Sequence, residues 1–338
     1  MPALVEVPAG PFLMGSSDAD KMADSDEKPQ HRLEMPDYWI GKTPVTNAQF
    51  RPFVEGDGYR NRAYWTEVGW LWRENEQIVR PGFWNYAKWN GDDYPVVGVS
   101  WFEAVAYCRW LSTQIGHAFR LPSEAEWEKA ARGPDGRIWP WGNQWQDGYC
   151  NSFRLWKDSG SIWYRIKHFR LANRLLLQKS VMGDEIFQEE VVGVDGKTTA
   201  VSAFPDGSGH YRILDASGNV HEWCATQRGK WYPYRLEDEW QATVVEADAP
   251  RVVRGGAWNL RPQRVRGAQR SSEYPRNRCV HIGLRIASDR PLRGSDEGGV
   301  MSDEGRVMSD EGGVTTDHWP LATRTNHGPL IEGAEHGG

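Results

Sequence analysis

The residues with the clearest chemical potential lie near the C-terminal end of the sequence, in RVVRGGAWNLRPQRVRGAQRSSEYPRNRCVHIGLRIA, residues 251–287. This segment is rich in arginine, carries the glycine pair Gly255 and Gly256, and contains one cysteine, Cys279. Guanidinium groups hold carboxylates and phosphates through paired hydrogen bonds, and together with aromatic side chains they anchor binding interfaces. The segment could therefore form an active site, a binding surface or only the last strands of a fold.

The cysteines and histidines of the chain form no recognisable metal or disulfide pattern. Four cysteines, at positions 108, 150, 224 and 279, are scattered and form no C-x-x-C pair, so we predict buried or idle reduced thiols. Nine histidines are spread along the chain, with no H-x3-H-x-E pattern among them. We predict surface or packing roles, not metal ligation, for His31, His117, His168, His210, His221 and His281.

Short elements must position the arginine-rich segment. Alternating valines at 5 and 7, followed by a Pro-Gly break, predict a strand, a turn and a second strand near the N-terminus. Thr46 is placed to cap a short helix, and Ser100 and Ser123 each begin a capping box with a glutamate three residues later, which predicts two further helices. Residues 58–94 are rich in tryptophan and turn residues, and we predict turns there.

The composition describes a loop-rich globular protein. The 338 residues include 19 Trp, 36 Gly and 20 Pro, which argues against a bundle of long helices. The net charge of -6 gives no general drive toward nucleic acid or an anionic membrane. The N-terminus lacks a basic region followed by an apolar run, and no apolar window is long enough to span a membrane, so we predict a cytoplasmic protein without a membrane span.

Two segments differ in composition from the rest. Residues 161–179 combine a helical period with many basic side chains, and we predict an amphipathic basic helix within an insert at 153–197. Residues 295–315 repeat with a period of seven as SDEGGVM, SDEGRVM and SDEGGVT. Such a composition cannot bury a core, so we predict a disordered low-complexity tail at 291–338.

Seven ordered motifs resemble those of the formylglycine-generating enzyme, or sulfatase-modifying factor, family. They are VPAGPFLMGS, KTPVTNAQF, YPVVGVSWFEAVAYCRWLS, RLPSEAEWEKAARG, WPWGN, LDASGNVHEW and the arginine-rich segment ending in IGLR. The match covers residues 4 to 288 apart from the insert. It implies an α+β, C-type-lectin-like fold with little regular secondary structure, and one domain at 1–290. We expect a monomer.

The enzymatic branches of this family use metals that the residues here do not clearly supply. The copper enzymes hold the metal with two cysteines shortly after an RGGS motif, whereas RGGA is followed here by residues 258–265 without cysteine. Soft Cu(I) needs thiolate ligands, so we expect no copper. A second branch resembles the nonheme-iron sulfoxide synthases, in which the iron histidines come largely from an additional helical domain. A nonheme iron or copper oxidoreductase remains the alternative function.

The resemblance also implies structural calcium sites. The family's N/D-x-x-G-x-x-x-E pattern is matched in DASGNVHE by Asp215, Gly218, Val220 and Glu222. A second site is predicted from Asn151, Ser152 and Asp195. Carboxylate, amide and backbone oxygens are the hard ligands that calcium takes. The alternative is that Asp215 and Glu222 cap a turn without metal.

The arginine-rich segment also resembles the variable segment of proteins diversified by retroelements, which display a changeable binding surface on the same fold. Adenine changes in asparagine codons can reach the residue types found between its constant positions. The predicted ligand contacts are Trp258, Asn259, Leu260, Arg261, Arg264, Ser271, Ser272, Tyr274, Arg276, Cys279, Val280 and His281. The alternative is ordinary solvent-facing loop residues. We predict a binding surface, with a protein as the most favoured ligand.

Overall fold

The computed structural model describes residues 1–153, 196–229, 233–236 and 249–292. The predicted insert at 153–197, with its basic helix, and the predicted tail at 291–338 fall almost entirely outside these described residues. Asp195, a predicted calcium ligand, also lies outside them. The described residues belong to one compact unit.

Nine short strands in the described part of the chain form three sheets. Their bounds are β1 Leu4–Val7, β2 Gly10–Met14, β3 His31–Met35, β4 Tyr38–Gly41, β5 His221–Gln227, β6 Arg251–Arg254, β7 Ser271–Glu273, β8 Ile282–Leu284 and β9 Ala287–Ser288. The first sheet has the order β1-β4-β9, the second pairs β2 with β3, and the third has the order β7-β6-β5-β8. In the third sheet β5 and β8 are parallel and the other neighbours are antiparallel.

Four α-helices accompany the sheets in the described residues. They are α1 Asn47–Glu55, α2 Glu67–Asn75, α3 Trp101–Ile115 and α4 Glu124–Arg132. The predicted N-cap is confirmed at Thr46 and the predicted capping boxes are confirmed at Ser100 and Ser123; each side chain accepts from the backbone N–H three residues later. Helix α2 corrects the prediction of turns alone at 58–94. It begins there because the Thr66 hydroxyl accepts a hydrogen bond from the Gly69 N–H.

The buried core is aromatic. Its largest cluster surrounds α3, where the ring of Tyr107 stacks on Phe50 at 4.7 Å between centroids and meets Phe53 edge-on at 5.8 Å. A second cluster packs Trp127 of α4 against the N-terminal strands. A third, smaller cluster contains Phe83, Trp89, Val97, Val220, Trp258 and Val280. Mixed helices and strands of modest length confirm the predicted α+β class with little regular structure.

Buried ion pairs join the C-terminal strands to the rest of the fold. Arg270 bonds both carboxylate oxygens of Glu124 at 2.7 Å, and Arg254 pairs with Glu128. Arg266 reaches Glu27 at 2.6 Å. All six side chains are almost completely buried. Neither partner of a pair can therefore be removed without a large loss of stability, because a buried charge without its partner is strongly destabilising. None of the described helices has the length and apolar character needed to cross a bilayer.

Candidate ligand-binding surface

The arginine-rich segment separates into buried and exposed arginines. Five arginines, called here the buried frame, have their side chains in the interior: Arg251, Arg254, Arg266, Arg270 and Arg285. Arg261, Arg264 and Arg276 are exposed. The frame therefore belongs to the fold, whereas residues 259–264 and most of 271–278 lie partly or fully at the surface.

The predicted contact residues divide in the same way. Arg261, Arg264, Tyr274 and Arg276 are exposed, whereas Asn259, Leu260, Ser271, Ser272 and His281 are partly buried. Tyr274 is the most exposed aromatic side chain among the predicted contact residues, at 53%.

Three predicted contact residues are buried instead of lying at the surface. Trp258 is only 4% exposed, because its ring packs 5.6 Å from that of Trp89 and its Nε1 donates to the Val280 carbonyl at 3.4 Å. Val280 belongs to the same small cluster, and Cys279 packs in the large core. These three side chains support the surface from beneath.

Two turns carry the exposed residues. The first is a short 3-10 helix at Pro262–Arg264, where the Pro262 carbonyl accepts from Trp139 Nε1 at 3.2 Å and Arg264 pairs with Asp24. The preceding Leu260 carbonyl accepts from the Phe153 N–H at 2.7 Å.

The second turn follows β7. The Asn277 N–H donates to the Tyr274 carbonyl at 2.9 Å, and the Trp101 N–H, at the start of α3, donates to the Pro275 carbonyl at 2.9 Å. Arg278 then pairs with the buried Glu103 at 3.2 Å. Both turns are thus fixed by contacts with distant parts of the chain, which keeps their exposed side chains in defined positions.

Sequence reasoning missed the residues that lie beneath and beside this surface. Phe83 and Trp89 share the small cluster with Trp258 and Val280, and nearby Tyr86 is 41% exposed. The density of tryptophan at 58–94 was a signal of packing, but its partners are too distant in sequence to be identified from the pattern.

His221 and His281 form a close pair at one side of the surface. Their ring centroids lie 6.1 Å apart, and the His221 N–H donates to the His281 carbonyl at 2.8 Å. Burial lowers the pKa of His221 to about 4, so this ring is neutral at physiological pH. Among the described residues, no group of three or more His, Cys, Asp or Glu is arranged to hold a metal ion.

The first predicted calcium site contains a carboxylate that is already paired. Glu222 accepts from Arg285 through both oxygens at 2.7 Å and from Trp127 Nε1 at 2.6 Å. A calcium ion beside Glu222 would therefore compete with the guanidinium of Arg285. Val220 lies in the small cluster, and Gly218 takes a φ of 79° with its Cα against the Asn151 carbonyl, where a Cβ would lie at 2.1 Å.

Asp215 is the remaining carboxylate of this first site. Burial raises the pKa of its carboxyl to about 7, although the charge of Arg285 and a hydrogen bond with Asn219 act in the opposite direction. Its Oδ2 atom is buried without a hydrogen-bond partner. Asp215 therefore has one carboxylate oxygen that accepts no hydrogen bond, whereas both oxygens of Glu222 already accept hydrogen bonds.

The second predicted site has a better supply of oxygens. The Asn151 side-chain nitrogen lies 2.8 Å from the Lys197 carbonyl, 3.3 Å from Thr199 Oγ1 and 3.4 Å from Asn219 Oδ1. Exchanging the assigned oxygen and nitrogen of the Asn151 amide would bring four oxygens together, which is the donor type that calcium prefers. Ser152 is buried beside Asn151. The residues at Asn151 thus fit a calcium ion better than those at Glu222.

The sequence of this chain is similar to those of several known proteins. The family model described as sulfatase-modifying factor enzyme 1-like domain matches residues 1–290. A hercynine oxygenase from Mycolicibacterium smegmatis is 30% identical, with 84% of this chain and 61% of that protein covered. The chain thus spans about three fifths of that relative. A formylglycine-generating enzyme from Thermomonospora curvata is 29% identical, with 85% of this chain and 93% of that enzyme covered.

Among solved structures, Treponema denticola variable protein 1 shares the fold. Its TM-score is 0.55 at 19% identity, with 85% of this chain and 95% of that chain covered. Together with the family match, this likeness confirms the predicted C-type-lectin-like fold.

Proposed function

Because this chain belongs to the family of sulfatase-modifying factor enzyme 1-like domains, we propose that it is a ligand-binding module whose exposed C-terminal residues contact a protein. One observation carries the proposal: within residues 251–287 the frame arginines are buried, while Arg261, Arg264, Tyr274 and Arg276 are exposed. Exposed aromatic and arginine side chains held by a rigid scaffold are the residue types that dominate binding energies.

Because the frame arginines are buried and these four contact residues are exposed, the four contact residues could be substituted without loss of the fold. Substitutions at exposed positions usually alter stability little, and an exposed ion pair such as Arg264–Asp24 contributes at most about 1 kcal/mol. Substitutions at four frame positions would instead remove the cation from a buried carboxylate: Arg254, Arg266, Arg270 and Arg285. The finer proposal is therefore that the exposed positions are diversified by a retroelement.

Diversification can be tested on the DNA that surrounds the coding sequence. We expect a reverse transcriptase gene and a near-copy of the region encoding residues 251–287 that differs only at adenines. The absence of such a copy would contradict diversification and leave a generic binding module.

Binding is tested by selecting random linear peptides, displayed on phage, against the whole protein. Tyr274→Ala is expected to weaken the selected peptides by about thirtyfold or more, the loss typical of a central aromatic anchor. The melting temperature should stay unchanged because Tyr274 is 53% exposed. Affinity is measured by calorimetry or fluorescence anisotropy.

A matched control for Tyr274 is Ile115→Ala. Ile115 is 42% exposed and ends α3, whose first residue, Trp101, contacts the surface turn. The length of this helix places Ile115 about 20 Å from that contact. Peptides that bind equally well to the Tyr274 and Ile115 variants would argue against the proposed surface.

A second candidate function is an oxidoreductase, favoured by the 30% identity to hercynine oxygenase. The four cysteines are buried and none lies within residues 258–265 after RGGA, so the residues there do not fit the copper pair of the family. Metal analysis of the purified protein separates the two functions. Stoichiometric iron or copper, together with oxygen consumption in the presence of a thiol, would support the oxidoreductase function and contradict the proposed binding function.

We also propose that calcium binds at Asn151 and stabilises the fold. A metal that binds only the folded state stabilises it by mass action, by about 2.7 kcal/mol at a concentration one hundred times its Kd. Removal of calcium with EGTA is expected to lower the melting temperature of the protein. In Asn151→Ala this calcium dependence should disappear, whereas the exposed Asn143→Ala should retain it. An unchanged melting temperature after chelation would rule out the site.

A further inference from the structure

We propose that Leu71 and Val79, called here the apolar patch, extend the ligand-binding surface and bind a partner protein segment with apolar side chains at its centre and a basic residue at one end. The inference rests on the proposed binding function and names the chemistry of the partner. Both residues lie outside the arginine-rich segment, and neither was predicted from the sequence to contact a ligand.

Three of the exposed large apolar side chains belong to adjoining segments. Leu71 is 50% exposed, Val79 55% and Tyr274 53%. The other large apolar side chains at the surface of the described residues are Met1, Tyr86 and Ile115. A single exposed apolar side chain is ordinary in a soluble protein, but several that adjoin one another indicate a contact surface for another protein.

The end of α2 places Val79 beside the last turn of the helix. The Ile78 N–H donates to the Arg73 carbonyl at 2.9 Å. The Gln77 N–H donates to the Glu74 carbonyl at 3.2 Å, which completes a Schellman motif. Gln77 takes the left-handed conformation that this motif requires, with a φ of 52°. The chain therefore reverses after the helix, and Val79 follows the residue that is bonded back to Arg73.

Half-buried neighbours hold both members of the apolar patch in place. Trp72, next to Leu71, has its ring 5.6 Å from that of Phe102 in α3. Ile78, next to Val79, packs against the same large core cluster. Because these neighbours are anchored, little further ordering of the backbone is needed when a partner binds, and less conformational entropy is lost.

Arg278 connects the apolar patch to the second turn. Its guanidinium donates to the carbonyl of Arg80, the residue that follows Val79. The turn itself is closed by the hydrogen bond from the Asn277 N–H to the Tyr274 carbonyl at 2.9 Å. A peptide of about ten residues, about 33 Å long when extended, can therefore reach from Val79 to Tyr274.

The charges beside the apolar patch indicate which kind of partner it accepts. Glu74 and Glu76 are exposed at the C-terminal end of α2. The carbonyl groups of a helix C-terminus already give that end a partial negative charge, so cations are stabilising there and acids are not. Arg73 is the basic residue of the same turn, and its guanidinium lies 4.9 Å from the centroid of the Trp70 ring. This end therefore attracts a basic group of a partner and repels nucleic acids and anionic lipids.

A second arginine near α2 acts mainly on another acid. Arg62 pairs with Glu67 at 2.6 Å. The pKa of Arg62 is raised by its hydrogen bond and ion pair with Glu67 and, to a smaller extent, by the charge of Glu74. Glu76 is therefore the acid to which we assign the basic residue of the partner.

The experiment uses the peptides that are selected from the random library on the whole protein. Those that bind are expected to carry apolar residues next to a lysine or arginine. Leu71→Gln should weaken them about tenfold or more, and Val79→Thr, which replaces a methyl by a hydroxyl, about fivefold. Ile115→Gln, a change of the same kind at the exposed end of α3, should leave affinity unchanged.

The basic residue of the partner is tested by charge reversal. Glu76→Lys is expected to weaken a selected peptide about tenfold, and replacing the basic residue of the peptide by glutamate should restore binding to this variant. Glu55→Lys, at the exposed end of α1, is the matched control. An affinity that responds to neither exchange would overturn the assigned partner chemistry.

The possible results separate this proposal from the binding function. Peptides that depend on Tyr274 but not on Leu71 or Val79 would overturn the apolar patch and leave the binding function standing. Peptides that depend on none of the three would overturn the binding function itself. Dependence on Leu71 and Val79 without Tyr274 would contradict a joint surface. If Leu71→Gln lowers the melting temperature, Val79→Thr, which preserves the shape of the side chain, decides the question.

Discussion

Replacing Glu222 by glutamine is expected to lower the free energy of unfolding by about 3–5 kcal/mol. Glu222 is fully buried, and its two oxygens accept from Arg285 at 2.7 Å each. Glutamine keeps the shape of the side chain but removes its charge, which leaves the buried guanidinium of Arg285 without compensation. Urea denaturation followed by circular dichroism measures the change.

Glu67→Gln is the matched control for this substitution. Glu67 pairs with Arg62 at 2.6 Å, but the two side chains are 54% and 60% exposed, so the pair contributes at most about 1 kcal/mol. The loss in Glu222→Gln should also persist in EGTA, because it comes from Arg285 and not from a metal. A loss no larger than that of the control would contradict the role of the buried pair.

Arg254→Ala is also expected to lower the free energy of unfolding by about 3–5 kcal/mol. The side chain is completely buried, pairs with Glu128, and donates to the carbonyls of Gly267, Ala268 and Gln269 at 3.0, 2.9 and 2.8 Å. Alanine would remove these contacts together and leave Glu128 with less compensating charge. The surface substitution Arg62→Ala is the control, and a similar loss in both variants would refute the expectation.

The stability that Arg254 provides should depend on pH in a defined direction. Burial alone would raise the pKa of Glu128, but the charges of Arg254 and Arg132 outweigh it and hold the pKa below its usual range. A depressed carboxyl pKa contributes stability above the unfolded value, about 4.3, which is lost as the pH falls through the folded value. Acid unfolding curves should therefore be less steep for Arg254→Ala below pH ~4.3. Parallel curves would contradict this coupling.

The elements that sequence analysis predicted are those whose signals are local. A capping box lies within three residues of its helix start, so Ser100 and Ser123 identified the beginnings of α3 and α4. Helix α2 was missed because Thr66 has no glutamate or glutamine three residues later and the neighbouring tryptophans obscured the pattern.

The candidate site was predicted only in outline, for a related reason. The resemblance to variable segments predicted surface contact residues in the arginine-rich segment, and one of them, Tyr274, is 53% exposed. Whether Trp258 and Val280 face solvent depends on Phe83 and Trp89, which lie more than a hundred residues away in the sequence. Packing over such separations leaves no periodic signal. Family resemblance implied Glu222 as a calcium ligand, but the local pattern could not show that Glu222 is paired with Arg285, which is 63 residues away.

The long separation between the buried acids and their arginines also constrains how the protein is made on the ribosome. Glu27, Glu124, Glu128 and Glu222 pair with Arg266, Arg270, Arg254 and Arg285, which are 239, 146, 126 and 63 residues further along the chain. While the chain is being synthesised, these four carboxylates emerge well before these arginines, and the interior cannot close around them; Glu128 alone of the four also pairs with a nearby arginine, Arg132. Contacts of this range make folding slow. Native structure must therefore form after Arg285 has been synthesised, and a nascent chain interrupted before Arg285 would be a substrate for chaperones and proteases.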